Sequence, residues 1–325
     1  MKNVKTLLIF ISISTFIFAS ATRTDALGGA GFWADDYANI GTFPASVNNH
    51  NAAWTDGTDF TSVWNADGTT WGFSGGMGND DVVNMMWGNG NIGVTFGLGM
   101  SPEVTGVADS GNCGDDMNAA CGDAVTAADA ATSYSIGFGM PLAEMDFGFR
   151  YDDSGTIGIN LRRAQEIWEW DHILVGIGLV PEDFVDGATQ AANTTFNIDC
   201  YTNRSYDGGT SGLFALGFHY GDKGAETDGG DDPDATMNLV WNFAVESAMT
   251  DWGTLRVGYV KAHDFGGGAN TGGTVTMGLG LNYGSFSLDM NIGDSYDSLL
   301  NDPVKWAAGR NSVALSSDWT ISYNW

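Results

Sequence analysis

Residues 319–325 read Trp319-Thr320-Ile321-Ser322-Tyr323-Asn324-Trp325 and end the chain. Successive side chains of a strand point to opposite faces. Trp319, Ile321, Tyr323 and Trp325 therefore line one apolar face, and Thr320, Ser322 and Asn324 a polar one. Such a segment suits either the closing strand of a barrel whose outer face meets hydrocarbon or the edge strand of an exported β-sandwich.

The rest of the chain repeats the pattern. Ile92, Val94, Phe96, Leu98 and Met100 alternate with Gly93, Thr95, Gly97 and Gly99. Met145, Phe147, Phe149 and Tyr151 alternate with Asp146, Gly148, Arg150 and Asp152; Leu239, Trp241, Phe243 and Val245 do so with Asn238, Asn242 and Glu246. Val275 to Tyr283 and Phe286 to Ile292 continue it. These apolar faces carry no charge, as expected where Arg or Lys at a bilayer midplane costs about 2–4 kcal/mol. The polar faces are rich in Gly, Asn, Ser and Thr, whereas a soluble sandwich would show Lys and Glu there. They read as a lumen.

Lys2 and Lys5 precede an apolar run, Leu7 to Ala19, and Ala19-Ser20-Ala21 supplies small residues for signal cleavage, so residues 1–21 read as an export signal. The run is too short for a spanning helix. No cysteine follows directly, which argues against a lipid anchor. The 325 residues include 47 Gly and 6 Pro, enough chain for one large all-β domain. Formal charge is -28, and losing Lys2 and Lys5 would make it -30. That balance excludes nucleic acid as a partner.

Strands fall near 69–77, 80–88, 90–100, 132–140, 142–151, 155–163, 167–179, 194–202, 211–220, 236–247, 252–262, 273–283, 285–292 and 315–325. Short turns at Asn89, Pro141, Thr250-Asp251 and Gly284 alternate with long stretches at 101–131, 180–193, 221–235 and 293–314. Short turns on one side and long loops on the other are the mark of a transmembrane β-barrel. The expectation is an all-β fold, an antiparallel transmembrane barrel of about 14 strands over residues 67–325. The ending resembles that of bacterial outer-membrane barrels, in which the last strand and its final aromatic are read by the barrel-assembly machinery. That resemblance makes Trp319, Ile321, Tyr323 and Trp325 an assembly signal and implies contact with outer-membrane lipid and lipopolysaccharide.

Between Arg23 and Ala45 the chain reads Asp25-Ala26-Leu27-Gly28-Gly29-Ala30-Gly31, then Ala34-Asp35-Asp36-Tyr37-Ala38-Asn39-Ile40, then Phe43-Pro44-Ala45. This resembles the N-terminal region of the FadL-like long-chain fatty-acid transporter superfamily, which includes PorV-type secretion proteins. The resemblance implies an N-terminal hatch inside the lumen, residues 22–66, with Gly28, Gly29, Gly31, Asp35, Asp36, Asn39 and Pro44 as its motif. Phe43 stands where that signature usually carries Asn. Lumenal Gly93, Gly97, Gly99, Gly278 and Gly280 would let a hatch backbone approach the wall.

Signatures of catalysis are absent: there is no Gly-x-Ser-x-Gly, His-Glu-x-x-His or phosphate-binding Gly-Lys-Ser/Thr. His50, His172, His219 and His263 are scattered, with His172 and His219 facing the lumen. The expectation is no enzyme, no cofactor and no metal; the acidic stretch Asp228 to Asp234 lacks EF-hand spacing and reads as a solvated loop. Cys113 and Cys121 would form a disulfide in the longest loop, leaving Cys200 as a buried or lipid-facing thiol. Asp146, Arg150, Asp152, Arg162, Glu246, Arg256 and Asp289 are the lumenal charges, candidates for a network holding the hatch or for a ligand site. Passive transport of a small hydrophobic or amphipathic molecule across the outer membrane is the leading functional expectation. A PorV-like secretion barrel binding protein cargo and a structural surface porin are the alternatives.

Overall fold

A computed structural model describes residues 20–29, 31–76, 81–101, 130–182, 190–225, 233–266, 273–292 and 318–325. Its strands are β1 (Ala52–Thr55), β2 (Asp59–Ala66), β3 (Thr69–Gly76), β4 (Asp81–Gly88), β5 (Gly93–Ser101), β6 (Ala131–Leu142), β7 (Met145–Asp152) and β8 (Ile157–Ile167). They continue as β9 (Trp170–Val180), β10 (Asn193–Tyr206), β11 (Thr210–Lys223), β12 (Thr236–Thr250), β13 (Gly253–Asp264), β14 (Thr274–Tyr283), β15 (Phe286–Asn291) and β16 (Asp318–Asn324). Every strand pairs antiparallel with its sequence neighbours, and β1 pairs with β16, closing the sheet.

The fold is thus the expected closed antiparallel barrel, with sixteen strands instead of about fourteen. The additional pair is β1 and β2, which the sequence reading assigned to the hatch. The N-terminal segment inside the sheet, termed the hatch for its position, therefore stops near His50, and the barrel begins at Ala52, not at residue 67. At the other end, Ser20 and Ala21, read as part of the leader, are the N-cap and first residue of a short helix, α1 (Ala21–Ala26).

Closure leaves no unpaired sheet edge, so the backbone groups of the wall bond within the wall. The two faces differ in kind. Phe60, Phe73, Met85, Phe96, Ile136, Ile177, Ile198, Phe218 and Trp241 are exposed outward, while the alternate positions of the same strands turn in. Trp64, Trp71 and Trp87 lie in register across β2, β3 and β4 near the short-turn end, and Tyr283, Phe286, Tyr323 and Trp325 continue aromatic cover at that end. Phe286 and Tyr323 sit 4.8 Å apart, and Tyr323 and Trp325 5.9 Å. Aromatic residues favour the boundary between hydrocarbon and water. Lys261, beside Trp241, projects a charge outward near the loop-side end of β13, where a long stem lets the ammonium reach water.

The turns explain both hits and misses. Asn89 and Gly284 are turns as expected, and the β12–β13 turn is at Asp251-Trp252. Pro141 is not a turn: it lies in β6 opposite Asp146, and the chain reverses at Ala143-Glu144. Those two residues have φ of 48° and 67°, the doubly left-handed geometry of a tight hairpin, without the Gly or Asn that normally announces it.

Residues 20–50 occupy the lumen. After α1 come two 3-10 turns, Tyr37–Gly41, capped by the Asp36 side chain on the Ala38 amide at 2.8 Å, and Pro44–Asn49, with Pro44 at its first position. Leu27, Phe32, Trp33 and Phe43 pack on wall residues Leu174, Tyr201, Leu213, Ala215 and Ala244. Tyr37, Ile40 and Val47 pack on Val63. The core of the molecule lies between hatch and wall.

Candidate functional site

The hatch is seated by the absence of side chains. Gly88, Gly93, Gly139 and Gly148 are lateral partners across β4, β5, β6 and β7, making a bare stripe around part of the lumen. A Cβ on Gly93 would lie 2.0 Å from the Pro44 carbonyl oxygen, and one on Gly139 2.5 Å from the Ala45 nitrogen. Backbone against backbone at this range admits only glycine. Across the lumen Gly278 makes room for a side chain instead, since a Cβ there would lie 2.6 Å from the Ala26 Cβ. Gly97, expected in the same role, instead faces the Asn84 and Ser135 side chains.

Wall amides and hydroxyls then satisfy the hatch backbone. Asn242 donates to the Gly28 carbonyl at 2.8 Å, Asn203 to Phe32 at 2.6 Å and Thr276 to Ala26 at 3.0 Å. Asn48 reaches out of the hatch to the Ile92 carbonyl at 3.1 Å and accepts from the Gly90 amide at 2.9 Å. A buried irregular segment needs such partners, because its polar groups have no water to turn to.

A buried ion network ties the hatch to one side of the barrel. Arg23 donates to Glu246 through Nε at 2.7 Å and Nη2 at 3.0 Å. The Oε2 atom of Glu246 that accepts from Arg23 Nε also accepts from Arg256 Nε at 2.6 Å, and Arg256 Nη1 reaches Asp289 at 2.6 Å. Asp289 also accepts from the Ser20 hydroxyl at 2.9 Å. Arg23, Glu246, Arg256 and Asp289 are all essentially excluded from solvent. Charges this deep persist only when paired. Arg23 further lies 5.0 Å over the Trp33 ring and 3.7 Å from Asp36. Burial outweighs that contact and holds the Asp36 carboxyl up to about 8. His50, buried against the edge of Tyr37, is pushed down to about 4 by the same cause.

A second anchor stands across the lumen. Arg162 donates to Asp146 through Nε at 2.9 Å and Nη2 at 2.8 Å, and its Nη1 donates to the Gly31 carbonyl at 3.0 Å. Its guanidinium sits 4.6 Å over the ring of Phe43. Phe43 thus gives a cation a π face in a buried site.

Space remains beside the hatch. Tyr37 stacks on Trp54 of β1, with centroids 4.1 Å apart and planes at 23°. This stack borders two cavities. One, of about 270 Å³, is lined by Tyr37, Ile40, Met86, Thr95, Gly137 and Arg150. The other, of about 180 Å³, is lined by Ala38, Asp56, Asp59, Thr61 and Thr320. Arg150 is exposed to the lumen and, among the described residues, has no carboxylate at ion-pair distance.

The expected lumenal residues therefore divide. Glu246, Arg256 and Asp289 form one cluster, Asp146 and Arg162 another, and Arg150 faces the cavity. Asp152 accepts from the Thr156 amide at 3.2 Å and shapes the β7–β8 loop. Within the hatch motif, Gly28, Gly29 and Gly31 take φ of 81°, 139° and 94°, while Asp36 and Asn39 are buried and Asp35 is exposed. Sequence reasoning missed Arg23, although it is the only Arg or Lys between residues 20 and 60. Trp54 was missed because β1 was unseen. His172 and His219 face the lumen as expected, stacked on Tyr201 and bonded to Asp199 at 2.8 Å respectively. Cys200 is a free thiol on the outward face with Phe196 and Ile198. Cys113, Cys121 and the acidic stretch from Asp228 to Asp232 lie outside the described residues.

Fold and site together define a transmembrane-type barrel, apolar outside and polar inside, filled by its own N-terminal segment. No protein-family model matches the chain, and no curated protein matches it. Among solved structures it is similar to the translocator domain of autotransporter NalP from Neisseria meningitidis, at 10% identity over 84% of each chain with a TM-score of 0.25. A likeness at this level adds nothing to the closed strand pairing described above.

Proposed function

We propose that the protein resides in the bacterial outer membrane and lets small amphipathic molecules diffuse passively past a lumenal hatch, without a cofactor, an energy source or catalysis. The observation that carries this reading is the cavity beside the hatch, where Tyr37, Ile40, Trp54 and Met86 give apolar surface and Arg150 a cation with no ion-pair partner among the described residues. An aliphatic tail fits the first and a carboxylate the second, since the guanidinium fork matches a carboxylate. The N-terminal sequence from Gly28 to Pro44, with its resemblance to the FadL-like superfamily, supports the same substrate class.

Binding of a fluorescent fatty-acid analogue to the purified barrel tests it. Arg150→Gln should weaken binding roughly tenfold or more, given about 1.5–3 kcal/mol for a hydrogen bond to a charged group. Lys261→Gln, on the outer wall beside Trp241, should leave this binding unchanged. Absence of amphiphile binding, with a secreted protein co-purifying at fixed stoichiometry, would favour the secretion reading instead.

A further inference from the structure

One cavity opens on the outside of the barrel. It has about 510 Å³ and lies at the short-turn end, between the β8–β9 turn and strands β10, β11 and β12. Its floor is Gly212, which sits in register between Arg204 of β10 and Val245 of β12. Gly212 keeps an ordinary backbone conformation, and a Cβ there would lie 3.2 Å from the Tyr206 ring and at an ordinary 3.8 Å from the Ala244 carbonyl oxygen. The backbone does not require glycine, so what its smallness provides is room.

The walls are apolar. Trp170 stacks on Phe214 with centroids 5.1 Å apart, and Phe214 and Phe243 face each other in register, both exposed. At the rim the character changes: Arg204 and Glu169 stand 3.5 Å apart, both mostly exposed. Beside them Trp168 is 96% exposed at a φ of 56°. A bulky residue in the left-handed region is uncommon, and an indole wholly in water is unfavourable.

Resting on the membrane-barrel reading above, we propose that this groove is a binding site for a zwitterionic phospholipid of the turn-side leaflet. The acyl chain lies over Gly212 against Trp170, Phe214 and Phe243. The phosphate takes Arg204, the headgroup ammonium takes Glu169, and Trp168 covers the glycerol region. Charge complementarity selects the occupant: a plus–minus pair at the rim matches a headgroup carrying minus and plus, and the groove is continuous with the lipid-facing wall. Lipopolysaccharide belongs on the opposite, long-loop side.

The full-length barrel, delipidated in detergent, titrated with phosphatidylethanolamine or phosphatidylglycerol and weighed by native mass spectrometry, tests the site. One phosphatidylethanolamine should be retained per barrel, in preference to phosphatidylglycerol. Gly212→Leu, which fills the floor, and Arg204→Gln should each lower retention at least tenfold, and Glu169→Gln should abolish the preference between headgroups. Heat-modifiable migration on gels shows that each variant is folded. No retained lipid in the wild type, or equal retention by Gly212→Leu, overturns the proposal while leaving the membrane reading intact. A barrel that will not insert into liposomes overturns both.

Discussion

Single residues decide how firmly the hatch is held. Glu246 accepts from two arginines at once, one in the hatch and one in the wall. Removing one member of a buried charge set costs about 3–5 kcal/mol, because the partners remain buried without compensation. Glu246→Gln should therefore expose residues 20–50 to protease in the folded barrel, with the strands still protected; unchanged cleavage of the hatch would contradict the network's role. Two titrating groups give the hatch a pH window. Asp36 is raised by burial from 3.8 to about 8, so its contribution is full below 3.8 and is lost as pH rises through about 8. His50 is lowered by burial from 6.5 to about 4, so its contribution is full above 6.5 and is lost as pH falls through about 4. Protease protection of the hatch should decline on the alkaline side in the wild type and stay level in Asp36→Asn. An alkaline decline that survives the substitution would rule out Asp36 as its source. Parity along strands placed Glu246, Arg256, Asp289, Asp146 and Arg162 in the lumen from sequence alone. That Arg23 completes the set depends on its contact with Glu246, 223 positions away along the chain.

At the level of elements, the fourteen strands read from alternation are all present, because each carries enough apolar–polar rungs to show a period of two. The missing pair has a simple cause. β1 is four residues long, and its Trp54 turns inward to meet Tyr37, so the large residue lies on the face where alternation predicts a small polar one. The turn at Ala143-Glu144 was illegible for a related reason, since positive φ is imposed there by hairpin closure on residues that do not advertise it. The glycine stripe is the element-scale device most open to test. Gly148→Val would drive a Cβ to within 1.9 Å of the Thr42 carbonyl oxygen, which backbone cannot yield without moving. The variant should assemble but release the hatch, seen as higher ion conductance; a closed barrel of normal hatch protection would refute the seating. At the seam, the Trp325 amide bonds to Asn51 at 3.3 Å and the Asn51 side chain to the Trp325 carbonyl at 2.8 Å. Deleting Trp325 should thus reduce inserted barrel more than Trp319→Ala, and equal yields would deny the terminal residue a special part.

For the whole molecule, the wall and its filling are separable in principle, since the sheet closes through β1 and β16 without help from the hatch. The boundary is set by structure: a deletion must stop short of Ala52, or it removes a strand and opens the barrel. A variant lacking residues 22–50 loses Arg23, the seat of Pro44 and the stack of Tyr37 on Trp54, yet keeps all sixteen strands. It also leaves Glu246 and Asp289 with one arginine between them, so this wall cluster loses a counter-charge. With 40 acidic against 12 basic residues overall, the field of the chain attracts cations. In planar bilayers the intact protein should pass little current, and the deletion variant should conduct with cation selectivity that weakens as salt is raised, because screening shortens the reach of these charges. Equal conductance of the two forms would mean that the N-terminal segment does not close the lumen. Anion selectivity of the deletion variant would mean that Arg150 and Arg162, not the carboxylates, dominate the open path.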